Sequence, residues 1–154
     1  MKKIVLVVVI FLALGLFSTA FALEKPREAV VVDAKGVVEV KTPIEDWKPA
    51  QKGMVLTQGD IIRTQKASEA VLGMDDGGKM TTVELSQSGQ LQLAVLLENK
   101  EAATQNTLLD LSMGTVLIKA QKIRSLKSKF EVKTPTSVVG IRGTVFSVSV
   151  ESTE

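Results

Sequence analysis

The stretch KFEVKTPTSVVGIRGTVFSVSV, residues 129–150, holds two alternating runs separated by a segment rich in turn-forming residues. In the second run, Phe146, Val148 and Val150 alternate with serines, and in the first, apolar residues alternate with lysine and glutamate. Successive side chains of a β-strand point to opposite faces of the sheet. The pattern therefore predicts two strands, each with one face toward a core and one toward water.

The segment between the two runs has the composition of a turn. Pro135 lacks a backbone donor and holds Thr134 in an extended conformation, so we expect the strand to end there. Gly140 and Gly143 permit a positive φ or a close backbone approach, which lets the chain turn a corner.

Arg142 lies inside this corner, and its five N–H donors need acceptors. We expect it to bond to loop carbonyls or to pair with a carboxylate such as that of Asp60 or Asp76, in a structural role. A ligand-binding arginine is the alternative.

The rest of the chain repeats the strand pattern in short runs separated by turn formers every eight to twelve residues. This spacing predicts an all-β fold, a single domain of many short strands in a β-solenoid-like or sandwich-like stack. We expect residues 98–105, which are polar, to form an exposed loop with a turn of helix. The runs occupy 29–32, 37–41, 54–57, 61–64, 70–74, 80–85, 91–97, 108–111 and 115–120.

Residues 1–22, MKKIVLVVVIFLALGLFSTAFA, have the layout of a secretory signal peptide. Two lysines precede a continuous apolar run, and small residues at Ala20 and Ala22 mark a cleavage site. We therefore expect an exported chain, periplasmic or secreted, whose mature domain spans 23–154. An uncleaved anchor is the alternative, and in that case membrane contact would be made through the leader alone.

The charge of the mature chain argues against nucleic acid as a partner. Without Lys2 and Lys3 the chain has 17 basic and 17 acidic residues, so it lacks the basic excess that phosphate binding requires. Basic residues nevertheless concentrate toward the C-terminal end, where they form either a solvated face or a docking patch for an acidic partner or phospholipid headgroups. The candidate partner-binding residues are Lys119, Lys122, Arg124, Lys127 and Lys129.

Several chemistries are missing from the residue inventory. The chain contains no histidine, cysteine or tyrosine, which removes the commonest general base, the commonest zinc ligands and any thiol nucleophile. Asp75 and Asp76 precede two glycines and are typical of a hairpin turn rather than of a calcium site. We therefore expect no enzyme activity, no metal and no cofactor.

Six segments follow one another along the chain: GDIIRT at 59–64, SEAVL at 68–72, DG at 76–77, LSMGTV at 111–116, FEVKTP at 130–135 and VVGIRGTVF at 138–146. Taken in this order they resemble the FecR domain family, over residues 30–150. The last segment is the most specific of the six. The candidate signature residues, which we expect to be mainly structural, are Gly59, Asp60, Thr64, Asp76, Gly77, Thr134, Pro135, Gly140, Arg142, Gly143, Thr144 and Phe146.

The resemblance implies a non-enzymatic extracytoplasmic module that reports on a partner protein. In regulators of iron-siderophore uptake, such modules read the state of an outer-membrane receptor and signal to a cytoplasmic sigma-factor-binding segment. Here only Met1, Lys2 and Lys3 precede the apolar run, so the expectation is a stand-alone exported module. Its function would be protein binding, in sensing or as a scaffold of the cell envelope, with the oligomeric state left open.

Binding of an envelope glycan or surface polymer is the alternative function. Glycan sites are commonly built on aromatic platforms, and Trp47 is the only tryptophan in the chain. We expect Trp47 to be a loop residue that plugs the core rather than a surface on which a sugar stacks.

Overall fold

The computed structural model describes residues 24–75, 81–120 and 127–151. Throughout these ranges the regular secondary structure consists of β-strands, so the prediction of an all-β fold is confirmed. The predicted leader lies outside the described residues. The strands are β1 Lys25–Pro26, β2 Ala29–Lys35, β3 Val38–Lys41, β4 Lys48–Pro49, β5 Val55–Leu56, β6 Ile61–Thr64, β7 Glu69–Gly73, β8 Thr81–Leu85, β9 Gln90–Asn99, β10 Thr104–Ala120, β11 Lys129–Lys133, β12 Val138–Gly140 and β13 Thr144–Val150.

These strands form one strongly curled sheet, a half-barrel. Its main path runs β4-β3-β6-β9-β10-β8-β7-β2-β5, and the pairs described are antiparallel except for β10 with β11. Strand β1 adds to β9, while β11 and β13 both add to β10, and β12 adds to β11. The stack expected from the sequence thus takes the form of a sheet that curls over its own core.

Strand β10 is seventeen residues long and joins the two halves of the half-barrel. One half contains β1, β3, β4, β6, β9, β11 and β12, and the other contains β2, β5, β7, β8 and β13. Its first part pairs with β9 and β11, and its second part pairs with β8 and β13. The register with β9 shifts between Leu111 and Met113, and Gly114 adopts a φ of +87°. A Cβ on Gly114 would lie 2.5 Å from the Cα of Gly89, so two backbones meet at this bend.

The bend changes which face of β10 is buried. Leu109 and Leu111 are fully buried before it, and Val116 and Ile118 are fully buried after it. Odd-numbered side chains give way to even-numbered ones because an irregularity that adds one residue reverses the alternation of a strand. Both parts of the strand thereby face the same core.

The exposed loop predicted at 98–105 is confirmed at residues 100–103, which form the turn of a hairpin, whereas 98, 99, 104 and 105 belong to β9 and β10. Asn99 is buried, and its Oδ1 accepts a hydrogen bond of 2.9 Å from the backbone N–H of Ala102. Ala103 then reverses the chain with a φ of +49°. An asparagine oxygen that accepts from the N–H three residues ahead caps the start of such a turn.

Strand β13 shows the predicted alternation at most of its positions. Val148 and Val150 pack against the core, while Ser147 and Ser149 are exposed. Phe146, however, is 39% exposed, although it lies opposite Ile118 of β10. The prediction that it is a core residue is wrong because β13 is an outer strand, which covers the ring from one side only.

Candidate functional site

The segment TPTS joins β11 to β12 as a hairpin turn. The backbone N–H of Thr134 donates to the carbonyl of Ser137 at 2.8 Å, and the N–H of Ser137 donates to Oγ1 of Thr134 at 3.1 Å. Pro135 follows Thr134, the position at which proline favours a turn. Thr134 is 7% exposed, so both residues serve the architecture of this end of the sheet.

In the corner that follows, Ile141 and Gly143 have a role within the fold, whereas Gly140 shows none. The backbone N–H of Ile141 donates to the carbonyl of Phe130 at 2.7 Å, and its side chain is buried. Gly143 adopts a φ of +103°, one of the two uses expected for it. Gly140 shows neither expected feature: its φ is not in the positive range, and a Cβ built on it meets no described atom within 4 Å.

Arg142 is exposed, and no hydrogen bond or ion pair links it to another of the described residues. The predicted pair with Asp60 is wrong because that carboxylate serves its own turn. Oδ2 of Asp60 accepts hydrogen bonds from the N–H of Thr57 at 2.7 Å and from its hydroxyl at 3.2 Å. The other predicted partner, Asp76, lies outside the described residues, as does Gly77.

Gly59 and Asp60 form the turn that leads from β5 into β6. The N–H of Asp60 donates to the carbonyl of Thr57 at 3.1 Å, and Gly59 supplies the positive φ, +98°, that such a turn needs. A Cβ on Gly59 would also lie 3.1 Å from Pro43. Asp60 is 4% exposed, so this turn is a structural element rather than a surface for ligands.

Thr64 holds the turn between β8 and β9. Its buried hydroxyl donates to the carbonyl of Ser86 at 2.6 Å and accepts from the N–H of Gly89 at 2.9 Å. Gly89 is the residue that meets Gly114 of β10, so Thr64 supports the bend of the longest strand. Another signature residue, Thr144, begins β13 and lies opposite Ala120 in the register.

The predicted basic patch is partly neutralised. Lys119 forms an ion pair with Glu84, and Lys127 is engaged as well. Lys129 is exposed at the start of β11, while Lys122 and Arg124 lie outside the described residues. The described part of this patch is therefore not a continuous surface of positive charge.

Trp47 lies on the surface of the sheet, so the prediction that it plugs the core is wrong. It is half-buried, and the guanidinium carbon of Arg63 lies 3.8 Å from its ring centroid. Nε of Arg63 also donates to Glu39 at 2.8 Å, a bond that holds the pKa of Glu39 below its ordinary value. The arginine covers one face of the ring, which leaves less of the indole for a sugar.

Sequence reasoning missed Arg27, which bridges the two halves of the half-barrel. Nη1 donates to the carbonyl of Met74 at 3.2 Å, and Nη2 donates to the hydroxyl of Thr107 at 2.5 Å. Burial lowers the pKa of this guanidinium, and the nearby carboxylates Glu98 and Asp75 act in the opposite direction. Arg27 lies between the two-residue strand β1 and the start of β2, and a lone arginine there carries no sequence pattern that would have revealed this contact.

Exposed apolar side chains accompany Arg142 along the chain. Val138 is 59% exposed and Val145 is 63% exposed, and Gly140 lies between them without a side chain. We call residues 138–146 the signature corner. Within the described ranges, no group of three or more acidic side chains is placed to hold a metal ion.

The described residues thus define the class of this protein as an all-β half-barrel, and its signature corner carries an exposed arginine. The chain belongs to the FecR family, since the family model described as FecR protein matches residues 60–154, more than half of its length. The match includes Asp60, Thr64 and the whole signature corner. Comparisons with curated proteins and with solved structures found no match. Among the residues described, no helix is long and apolar enough to span a membrane.

Proposed function

We propose that this protein is a non-enzymatic protein-binding module of the cell envelope, which takes part in sensing or serves as a scaffold through its signature corner. Membership of the FecR family supports a regulatory rather than a catalytic role. The leader predicted at residues 1–22 supports export, and with it a periplasmic or secreted location.

The observation that carries the proposal is that the guanidinium of Arg142 has no partner among the described residues. Its neighbours Ile141 and Gly143 have clear internal uses, whereas Arg142 is exposed and has no described partner. Arginine is enriched among the residues that dominate protein–protein binding energy, and its planar fork binds carboxylates in a bidentate manner. The proposed partner therefore presents an acidic side chain to this corner.

Gly140 supports the same surface from the backbone side. Because a Cβ there would meet no described atom, the fold does not require glycine at this position. A missing side chain beside an exposed arginine lets a partner's backbone approach closely. Val138, on the same strand, adds apolar area to the contact.

Crosslinking and affinity capture from the envelope test this proposal. We expect the full chain to capture a defined protein, and Arg142→Ala to reduce the captured amount about tenfold, as loss of one central arginine contact implies. Lys52→Ala, which removes an exposed charge elsewhere, is the matched control and is expected to capture the partner normally.

Stability separates a binding role from a structural one. Arg142→Ala is expected to unfold at the same temperature as the wild type, since no described residue bonds to this side chain. A clear drop in its unfolding midpoint, or capture equal to that of the wild type, contradicts the proposal.

A further inference from the structure

Strand β13 has one edge that no other described strand covers. All seven of its residues pair with β10 along one side, from Thr144 opposite Ala120 to Val150 opposite Gly114. No strand among the described residues pairs with its other side. The open side is a row of backbone groups that can template another strand.

Other outer strands of the described sheet are protected, but β13 is not. Strands β1 and β4 are two residues long and end in proline, β5 is also two residues long, and β12 has three residues and ends in glycine. Short length and proline are the usual means of blunting an edge. The sequence of β13, TVFSVSV, has no charge, proline or glycine.

We propose that two copies of this chain associate by antiparallel pairing of their β13 strands, which joins two half-barrels through one continuous sheet. The strand is a seven-residue segment of β-branched, aromatic and small polar residues without charge, which is the composition that favours self-pairing. The exposure of Val145 and Phe146 leaves apolar area for a neighbour to cover.

The register follows from the alternation of the strand. Residues that lie directly opposite in an antiparallel pair share a face, so even-numbered residues must pair with even-numbered ones to keep apolar side chains together. Centring the pair on Ser147 satisfies this condition and uses all seven residues. Phe146 of one copy then lies opposite Val148 of the other, and Val145 lies opposite Ser149, in a two-fold symmetric contact.

A second copy fits this edge better than a charged peptide does, because β13 carries no charged side chain that would select one. The dimer edge overlaps the signature corner at residues 144–146 but uses neither Arg142 nor Gly140, so Arg142→Ala is expected to lose partner capture and to keep the dimer. Loss of one activity can therefore be observed without loss of the other.

The first experiment measures the molar mass of the protein as a function of its concentration, by light scattering or sedimentation. The full chain is expressed in a bacterial host and purified in the form that the host produces. We expect a dimer, and we expect Val145→Lys to raise the concentration for half-dimerisation at least about tenfold, since a charge on an edge strand opposes pairing. Ile44→Lys is the matched control, because Ile44 is 94% exposed in a loop and its replacement should leave the dimer intact. Circular dichroism confirms that each variant is folded.

The second experiment tests the register and uses the absence of cysteine from the chain. Ser147→Cys places two thiols opposite each other, at a spacing that a disulfide spans, and should crosslink under mild oxidation. Ser149→Cys lies opposite residue 145 and should crosslink far less. A monomer at all concentrations, as when another segment of the chain covers the edge, overturns the proposal. So does a dimer unaffected by Val145→Lys, or equal crosslinking of the two cysteine variants.

Discussion

At the scale of single residues, Thr64 shows how one buried hydroxyl fixes a distant turn. The hydroxyl donates to the carbonyl of Ser86 and accepts from the N–H of Gly89. Without the hydroxyl, both backbone groups would lose this hydrogen bond. A buried polar group that loses its partner destabilises the fold more than the bond itself contributes.

Thr64→Val should therefore lower the free energy of unfolding by about 1–3 kcal/mol, although valine has nearly the same shape. Thr64→Ser keeps the hydroxyl and is expected to lose less. Urea denaturation measures both variants. Equal stability of the valine and serine variants would show that the hydroxyl bonds contribute nothing.

The carboxylates around Trp47 make part of the stability depend on pH. The hydrogen bond from Arg63 lowers the pKa of Glu39, and one from Gln65 adds to it. The backbone N–H of Trp47 lowers the pKa of Asp46, with Lys41 contributing. Folding thus favours the ionised forms, so the stabilisation is present above the ordinary pKa values and is lost as the pH falls through the lowered ones.

For Glu39→Gln we expect a small loss of stability at neutral pH that disappears on acidification, because protonated glutamate and glutamine then have the same charge. Thermal unfolding midpoints of wild type and variant, followed from neutral pH down to about pH 3, test this. Glu28→Gln, at an exposed position, is the control. A difference between wild type and Glu39→Gln that persists at low pH contradicts the assignment.

At the scale of elements, the bend of β10 depends on two glycines in contact. A side chain at Gly114 would meet Gly89 and would also have to adopt a positive φ, which costs about 1–2 kcal/mol before any clash is counted. Strand β12 offers the contrast, since Gly140 has open space around it.

Gly114→Ala should therefore destabilise the protein by more than about 2 kcal/mol, whereas Gly140→Ala should leave its stability within about 0.5 kcal/mol of the wild type. Chemical denaturation of both variants provides the comparison. Similar effects of the two substitutions would mean that the close contact with Gly89 is not what fixes the bend.

The elements that the sequence predicts well are those with unbroken alternation, such as β3 and β11. Strand β10 was predicted as two strands, 108–111 and 115–120, because the buried positions change from odd to even at the bend. Strands β1 and β4 are too short to show any period, and β12 lies in a segment whose proline and glycines indicate a turn. Alternation reports local geometry, so it does not show where a strand continues through an irregularity.

The candidate site was predictable in its location but not in its contacts. The segment at 138–146 carries the family signature, yet nothing in its order of residues indicates that Arg142 has no described partner while Asp60 serves its own turn. Contacts of that kind depend on which distant segments the sheet brings together. The same holds for Arg63 on Trp47, whose positions are sixteen residues apart.

At the scale of the whole molecule, strand β10 and Arg27 both join the two halves of the curled sheet. Strand β10 runs through both halves, and Arg27 adds a non-covalent link, since it reaches Thr107 on β10 and the carbonyl of Met74 after β7. A guanidinium suits this position because its planar fork donates in two directions at once. Burial opposes its charge, so the hydrogen bonds must offset that cost.

Arg27→Ala should consequently lower the free energy of unfolding by about 2 kcal/mol or more, since two acceptors lose their donor. Arg27→Met retains the length of the side chain without the charge, and we expect it to fall between alanine and the wild type because apolar replacement removes the burial cost. Lys25→Ala, at an exposed position two residues earlier, is the control.

Hydrogen exchange should show faster opening at both Met74 and the first part of β10 in Arg27→Ala. Faster exchange on one side alone would mean that Arg27 stabilises a single strand pair and does not link the two halves.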